Sequence, residues 1–202
     1  MKIKICGIKN KEILQHACEL GVDFAGFIIA GESPRKISEE FLLSLVDFNF
    51  LNTKPVFVFV NPSVEMVNKI INLIPASILQ FHGDETDQFC NQFNHPYWKS
   101  IPVKDSSSLN SINNFASAHG FLLETFSSTS YGGTGQVFDW GLLKNLSLED
   151  RFILAGGINQ ENIKDAISMN PWCIDVNSGV ESKLANKDKA LMSDILEVFH
   201  DG

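Results

Sequence analysis

The sequence predicts one (β/α)8 barrel, a TIM barrel of the α/β class, formed by residues 1–202. Eight short runs of β-branched and aromatic residues alternate with eight segments of helical period. Each predicted strand is followed by a helix, which requires parallel pairing through right-handed crossovers. No linker or low-complexity tract divides the chain, so we expect a single domain. Eight such units in about 200 residues correspond to a closed barrel at the small end of its size range.

Two of the first four units show helix start signals. Ser38 and Ser63 each precede a glutamate and an apolar pattern, which is typical of N-cap residues. The predicted strands are 2–6, 23–29, 55–60 and 78–81, and the predicted helices lie near 10–20, 38–48, 63–73 and 85–93.

The last four units continue the alternation, with Asn159 as a further predicted N-cap. The predicted strands are 97–101, 121–124, 152–155 and 173–176, and the predicted helices lie near 107–118, 139–145, 159–169 and 187–199. Residues 125–135 are predicted to be a functional loop, because so long a structureless connection in a compact domain usually covers or binds something. An open doubly wound sheet is the competing architecture, but the first turn lacks its Gly-rich fingerprint.

Composition and charge exclude several classes of protein. Apolar residues make up 44% of the chain, and 16 basic against 24 acidic residues give a net charge of −8. Such a chain is a poor partner for nucleic acid or an anionic membrane, so an anionic ligand needs a local positive site. No apolar run approaches the roughly 18 residues of a membrane span. Four scattered cysteines and a lysine-rich start without a signal-peptide core predict a cytoplasmic protein with reduced thiols.

Barrel enzymes place their reactive groups where strands end, which selects Cys6 and Glu124. Cys6 follows the first strand, although a free cysteine is more often simply buried. Glu124 ends an apolar strand and is suited to acid–base chemistry, but an ion pair with Lys4 is an equally good explanation. Arg35 could bind a carboxylate through both guanidinium nitrogens, or be a solvated loop charge. His82 is assigned a structural role.

Glycine-rich turns after the last strands indicate a phosphate site. Gly156 and Gly157 follow the seventh strand, and Ser178 and Gly179 follow the eighth. Backbone N–H groups at such turns bind phosphate without adding charge, and barrels commonly place the site there. Each turn alone could merely be tight, but two on adjacent strands favour phosphate. A third glycine cluster occupies residues 132–135.

Eight short motifs, in order along the chain and beside predicted strand ends, identify a family that this sequence resembles. They are KICGI at 4–8, SPR at 33–35, FVFVN at 57–61, LQFHG at 79–83, GGTG at 132–135, FDW at 138–140, LAGG at 154–157 and DVNSGVE at 175–181. The chain resembles phosphoribosylanthranilate isomerase from end to end.

The resemblance implies an Amadori rearrangement of N-(5-phosphoribosyl)anthranilate to 1-(2-carboxyphenylamino)-1-deoxyribulose 5-phosphate, a step of tryptophan biosynthesis. It implies that Glu124 is the general acid at the ring oxygen and that Cys6 is the base at C2. Arg35 would bind the anthranilate carboxylate, and the phosphate would bind at the glycine turns of residues 156–157 and 178–179. The partner is then a small phosphosugar, no metal or organic cofactor is needed, and the protein is a monomer or homodimer.

Two positions depart from the family pattern. Glu124 stands where the family usually has Asp, and Leu184–Asp188 lacks the usual Pro-Gly before Lys-Asp. The rival enzyme is the Amadori isomerase of histidine biosynthesis, which has an aspartate in place of Cys6. The rival of another class is a non-catalytic phosphosugar-binding barrel.

Overall fold

The barrel is seen in a computed structural model that describes residues 1–29, 31–126, 137–143 and 152–201. Eight parallel strands close in chain order, which confirms the predicted (β/α)8 architecture. They are β1 (Lys2–Ile5), β2 (Phe24–Ile28), β3 (Lys54–Phe59), β4 (Ile78–Phe81), β5 (Tyr97–Val103), β6 (Gly120–Thr125), β7 (Phe152–Leu154) and β8 (Cys173–Val176). The barrel closes where β1 pairs with β8, and the register sets Lys4 opposite Asp175.

The helices lie between the strands. They are α1 (Lys11–Glu19), α2 (Glu39–Ser44), α3 (Val64–Leu73), α4 (Asp87–Asn91), α5 (Ile163–Ser168) and α6 (Lys189–Asp201). Ser38 and Ser63 are N-caps as predicted, since each side chain accepts a hydrogen bond from the backbone N–H three residues on. No helix in the described part of the chain is long and apolar enough to cross a membrane.

Three helical predictions were wrong in detail. The connections after β5 and β6 contain 3-10 helices, Ser106–Asn114 and Trp140–Leu143, instead of α-helices. The first of these is mostly Ser and Asn, whose side chains bond the nearby backbone and compete with the α-helix. Asn159 is not an N-cap, because α5 begins after Asn162 and the Asn159 side chain accepts from the N–H of Glu161 in the preceding turn.

The lower half of the barrel interior is apolar. One buried cluster contains Phe24, Val56, Trp98, Leu122, Ile153, Ala155 and Cys173. Phe24 and Cys173 are the first residues of their strands, and the Trp98 ring packs edge-on against Phe24 with centroids 4.9 Å apart. A second, larger apolar cluster fills the space between the barrel and its helices. The amino-terminal end of the barrel is thus filled by packed side chains.

The inward positions nearer the carboxyl ends of the strands are polar. These buried residues are Lys4, Gln80, Ser100, Glu124 and Asp175. Side chains two apart on a strand share a face, so Glu124 points inward like Leu122 of the apolar cluster. The sequence therefore builds a barrel with an apolar floor and a charged layer beneath its mouth.

One element was not predicted. The connection between β8 and α6 contains a small antiparallel hairpin of β9 (Glu181–Lys183) and β10 (Asn186–Lys187). Its tip passes through Ala185, which has a left-handed φ of +60°. This hairpin places Glu181 and Lys187 beside the barrel mouth.

Candidate active site

The predicted site residues meet at one end of the barrel, because the carboxyl ends of parallel strands share one face. Cys6 follows β1, Glu124 lies on β6, and the turns at 156–157 and 178–179 follow β7 and β8. Arg35 comes from the connection between β2 and α2. The predicted glycine cluster at residues 132–135 and most of the predicted loop 125–135 lie outside the described residues.

Cys6 occupies a tightly packed position beside a buried ion pair. The ammonium of Lys4 lies 2.9 Å from Asp175 Oδ2, and both residues are buried. A Cβ atom at Gly26 would lie 2.8 Å from Cys6 Sγ and 3.1 Å from Lys4 Cε, so only glycine fits there. The sequence suggested an ion pair between Glu124 and Lys4 as an alternative. That prediction is wrong, because Lys4 pairs with Asp175 of β8.

Burial and the nearby lysines affect the pKa of the Cys6 thiol in opposite directions. Burial, together with the charge of Asp175, raises the pKa of the Cys6 thiol. The ammonium groups of Lys4 and Lys187 act in the opposite direction, but the pKa stays above its ordinary value. Burial also acts to lower the pKa of Lys4, but Asp175 and Cys6 outweigh this effect and hold that pKa above its ordinary value. Lys4 therefore remains a cation next to the thiol, where it favours a thiolate.

Glu124 contacts two neighbouring strands through one carboxylate oxygen. Its Oε1 accepts a hydrogen bond from Ser100 Oγ at 2.8 Å and lies 2.5 Å from His82 Nε2. Burial acts to raise the pKa of Glu124, but the charge of His82, its contact, the Ser100 hydroxyl and Lys4 together lower it below the ordinary value. Within the described part of the chain, Oε2 makes no hydrogen bond. His82, which the sequence analysis treated as structural, is thus a direct neighbour of the predicted acid.

Arg35 is already engaged by a residue of the hairpin. Its Nε and Nη2 donate to the two carboxylate oxygens of Glu181 at 2.8 and 2.9 Å. Lys187 also donates to Glu181, at 2.8 Å. Burial acts to raise the pKa of Glu181, but these two cations and a backbone N–H lower it to about 2. The guanidinium is therefore fixed in orientation with its Nε–Nη2 edge occupied, while its Nη1–Nη2 edge makes no hydrogen bond to the described residues.

Gly7 marks where these groups converge. It has a left-handed φ of +76°, and a Cβ there would lie 2.9 Å from Asn177 Oδ1, 3.0 Å from Arg35 Cδ and 3.5 Å from Lys187 Nζ. A side chain at this position would be strained and would collide with two loops. Gly7 thus lets the groups after β2 and β8 approach the turn that follows Cys6.

The turns after β7 and β8 pack against each other through glycine. Gly156 and Gly157 have left-handed φ values of +88° and +69°. A Cβ at Gly179 would lie 2.0 Å from the carbonyl oxygen of Ile158, so the two backbones touch there. In the described residues, no hydrogen bond is made by the N–H of Gly156, Gly157, Ser178 or Gly179. These N–H groups are available to an anion.

Together the fold and these groups define a class: a (β/α)8-barrel enzyme with acid–base groups and free loop amides at its mouth. The family model described as N-(5'phosphoribosyl)anthranilate (PRA) isomerase matches residues 3–198. The chain belongs to this family. The predicted activity, isomerisation of PRA in tryptophan biosynthesis, is thereby confirmed in preference to the histidine-pathway isomerase and the non-catalytic barrel.

Relatives with this name cover nearly the whole chain. The N-(5'-phosphoribosyl)anthranilate isomerase of Thermoanaerobacter sp. (strain X514) is 40% identical over 199 residues, which are 98% of this chain and 97% of the relative. That of Legionella pneumophila (strain Paris) is 40% identical over 205 residues, with the same coverages.

Solved structures agree with the sequence relatives. Phosphoribosyl anthranilate isomerase from Thermotoga maritima is 28% identical with a TM-score of 0.88, and the match covers 100% of both chains. A second structure of the family, in complex with reduced 1-(o-carboxyphenylamino)-1-deoxyribulose 5-phosphate, is 28% identical with a TM-score of 0.83 and coverages of 98% and 97%.

Proposed function

We propose that Glu124 and Cys6 are the acid and the base of an Amadori rearrangement at the mouth of this barrel. One observation carries the proposal: the buried side chains of Cys6 and Glu124 both lie at the carboxyl ends of the barrel strands, beside the layer that holds the buried ammonium of Lys4. A proton donor and a proton acceptor around one fixed cation can act on neighbouring atoms of one small substrate. The substrate is the phosphosugar PRA, as for the family.

The acid opens the sugar. A proton from the Glu124 carboxyl passes to the furanose ring oxygen while the C1–O bond breaks, and the anilinic nitrogen supplies the electrons. The product of this step is an iminium ion with an open sugar chain. Ser100 and His82 contact Oε1, so Oε2 is the oxygen left to face substrate.

The base completes the isomerisation. The iminium ion makes the neighbouring C2 proton acidic, and the Cys6 thiolate removes it to give an enolamine that tautomerises to the ketone. Lys4 and Lys187 favour the thiolate through their charge, against burial and Asp175, which keep the pKa of the thiol raised. The same positive charges would stabilise the anionic substrate, as a protein of net charge −8 requires.

Two further groups orient the substrate. Arg35 binds the anthranilate carboxylate through the guanidinium nitrogens that Glu181 leaves open, because Glu181 occupies Nε and one edge of Nη2. The phosphate binds the N–H groups of residues 156–157 and 178–179, which carry oriented partial positive charge without net charge. The active form is a monomer or a homodimer; a family member from Thermotoga maritima is described as dimeric.

The proposal is tested by replacing Glu124 with glutamine, which keeps the shape and removes the proton. We expect turnover of PRA, followed as loss of its fluorescence, to fall by about 10²–10⁴-fold. Binding of the reduced product analogue should stay within a few-fold. The matched control is Glu65→Gln on the exposed face of α3, which should turn over like the wild type. A Glu124→Gln variant with most of the wild-type kcat would overturn the assignment.

A further inference from the structure

The buried ammonium of Lys187 makes contacts with Asn177 that the steps above do not use. We propose that Lys187 is a positioning residue for the substrate phosphate: it holds the carbonyl of Asn177 and thereby fixes the direction of the Ser178 N–H. This inference rests on the proposed phosphate site at residues 156–157 and 178–179.

All three N–H donors of Lys187 are used within the protein. Its Nζ donates to the Asn177 carbonyl oxygen at 2.8 Å, to Asn177 Oδ1 at 2.7 Å and to Glu181 Oε1 at 2.8 Å. An ammonium group has three N–H donors and no acceptor, and this side chain is only 2% exposed. Lys187 therefore has no N–H left to bind the substrate, and its effect on the hydrogen bonds of the phosphate passes through the residues that it holds.

One peptide group joins Lys187 to the phosphate site. The carbonyl of Asn177 and the N–H of Ser178 belong to the same peptide bond, which is planar and trans, so the two groups point in opposite directions. With the carbonyl held on Lys187, the N–H of Ser178 points away from the lysine, and it has no hydrogen-bond partner among the described residues. Rotation of this peptide would turn the N–H away from the phosphate and present a carbonyl oxygen, which repels an anion.

The other contacts of this peptide are weaker. In the part of the chain that the structure describes, the Asn177 carbonyl accepts one further hydrogen bond, from the N–H of Val180 at 3.4 Å. The Asn177 side chain makes no capping hydrogen bond to the 3-10 helix Ser178–Val180. Its Oδ1 instead lies beside Lys187 and over Gly7, where a Cβ atom would be only 2.9 Å away. The bond from Lys187 is therefore the shorter of the two that orient the carbonyl.

The hairpin holds Lys187 and also holds Arg35, but by separate bonds. Lys187 lies on β10, and Glu181, which accepts from it, begins β9. Glu181 also accepts from two guanidinium nitrogens of Arg35 and, at 3.0 Å, from the N–H of Ala185. These three bonds remain when the ammonium of Lys187 is removed. The proposed carboxylate site at Arg35 should thus survive a change that disturbs the phosphate site.

The test is Lys187→Met, which keeps the length of the side chain and removes its charge and its donors. Calorimetric titration measures Kd for the reduced product analogue and for the same analogue without its phosphate. We expect Kd for the phosphorylated form to rise about tenfold or more, as for the loss of one hydrogen bond to a charged group. Kd for the dephosphorylated form should change less than about threefold, because Arg35 keeps its partner.

Two further variants accompany it. Lys183→Met removes the charge of an exposed lysine on β9 and should leave both Kd values unchanged. Lys187→Gln has a shorter side chain that cannot reach all three acceptors, and it should show the same selective loss. Thermal unfolding verifies that each variant is folded.

The outcomes separate positioning from charge and from general damage. Equal weakening of both ligands in Lys187→Met would overturn the inference. So would a crystal structure of Lys187→Met in which the peptide between Asn177 and Ser178 keeps its orientation, because the loss would then come from charge alone. Unchanged binding in Lys187→Met, with weakened binding in Gly179→Ala, would also overturn it. Unchanged binding in both variants would instead overturn the proposed phosphate site.

Discussion

Cys6 is buried and lies beside the ammonium of Lys4. Burial raises the pKa of its thiol, and the ammonium acts to lower it. Burial is the largest effect on both Cys6 and Cys173, and the pKa of each thiol lies above its ordinary value although Lys4 lowers both. The difference between the two thiols is their height in the barrel. Cys6 follows β1 at the mouth, where the proposed substrate would bind, whereas Cys173 begins β8 in the apolar floor, so position along the strand decides which thiol can serve as a base.

Replacing Cys6 with serine tests this reading of the residue. A hydroxyl is a poor proton acceptor at neutral pH, so we expect kcat for PRA to fall by about 10²–10⁴-fold with a much smaller change in KM. The matched control is Cys18→Ser, which changes a buried thiol on α1 and should leave kcat within a few-fold. Equal damage from both substitutions would show that the Cys6 effect is only loss of packing.

Single-residue contacts were the hardest part to predict. The sequence correctly placed Cys6, Glu124 and Arg35 at strand ends, because the strand pattern alone fixes which residues follow a strand. It could not show that Lys4 bonds Asp175, which is 171 residues away, since that contact exists only once the barrel has closed. It also missed His82, because a contact across β5 leaves no trace in sequence spacing.

Strands were predicted more closely than helices, for physical reasons. Buried parallel strands are rich in apolar residues, and β4 and β8, with three apolar residues out of four each, were predicted with the bounds that the structure gives. The Ser- and Asn-rich connection at 106–114 has a helical pattern but weak α-helix formers, and it folds as a 3-10 helix. The hairpin of β9 and β10 lacks a glycine at its tip and therefore gave no turn signal.

The turns after β7 and β8 support a prediction about phosphate. In Gly179→Ala the new Cβ would lie 2.0 Å from the Ile158 carbonyl oxygen and must push the two turns apart. Losing one hydrogen bond to a charged group costs about 1.5–3 kcal/mol, so we expect Kd for the reduced product analogue to rise roughly ten- to hundred-fold. Calorimetric titration measures the change.

A control distinguishes loop displacement from general destabilisation. Gly21 also has a left-handed φ, +76°, but a Cβ there would meet nothing within 4 Å. Gly21→Ala should therefore lower the thermal midpoint while Kd for the analogue stays unchanged. Unchanged analogue binding in a folded Gly179→Ala variant would place the phosphate elsewhere.

Over the whole molecule, the charge is distributed in a way that the total of −8 conceals. Lys4, Arg35 and Lys187 are buried at one end of the barrel, where Asp175 and Glu181 fix their positions. An anionic substrate thus meets cations whose geometry is set before it binds, so little binding energy is lost to ordering them. The strand alternation predicted the barrel that brings these residues together, but their pairing depends on closure.

The central claim is that Glu124 and Cys6 act on one substrate, as acid and as base. A crystal structure of this protein with the reduced product analogue tests it most directly. Proton transfer requires heavy atoms within about 2.6–3.2 Å. We predict Glu124 at that distance from the former ring oxygen, Cys6 Sγ facing C2, and the phosphate on the N–H groups of residues 156–157 and 178–179. An analogue whose phosphate lies away from these turns would contradict the account. So would a complex in which Glu124 and Cys6 contact the same atom of the analogue, or in which neither contacts it.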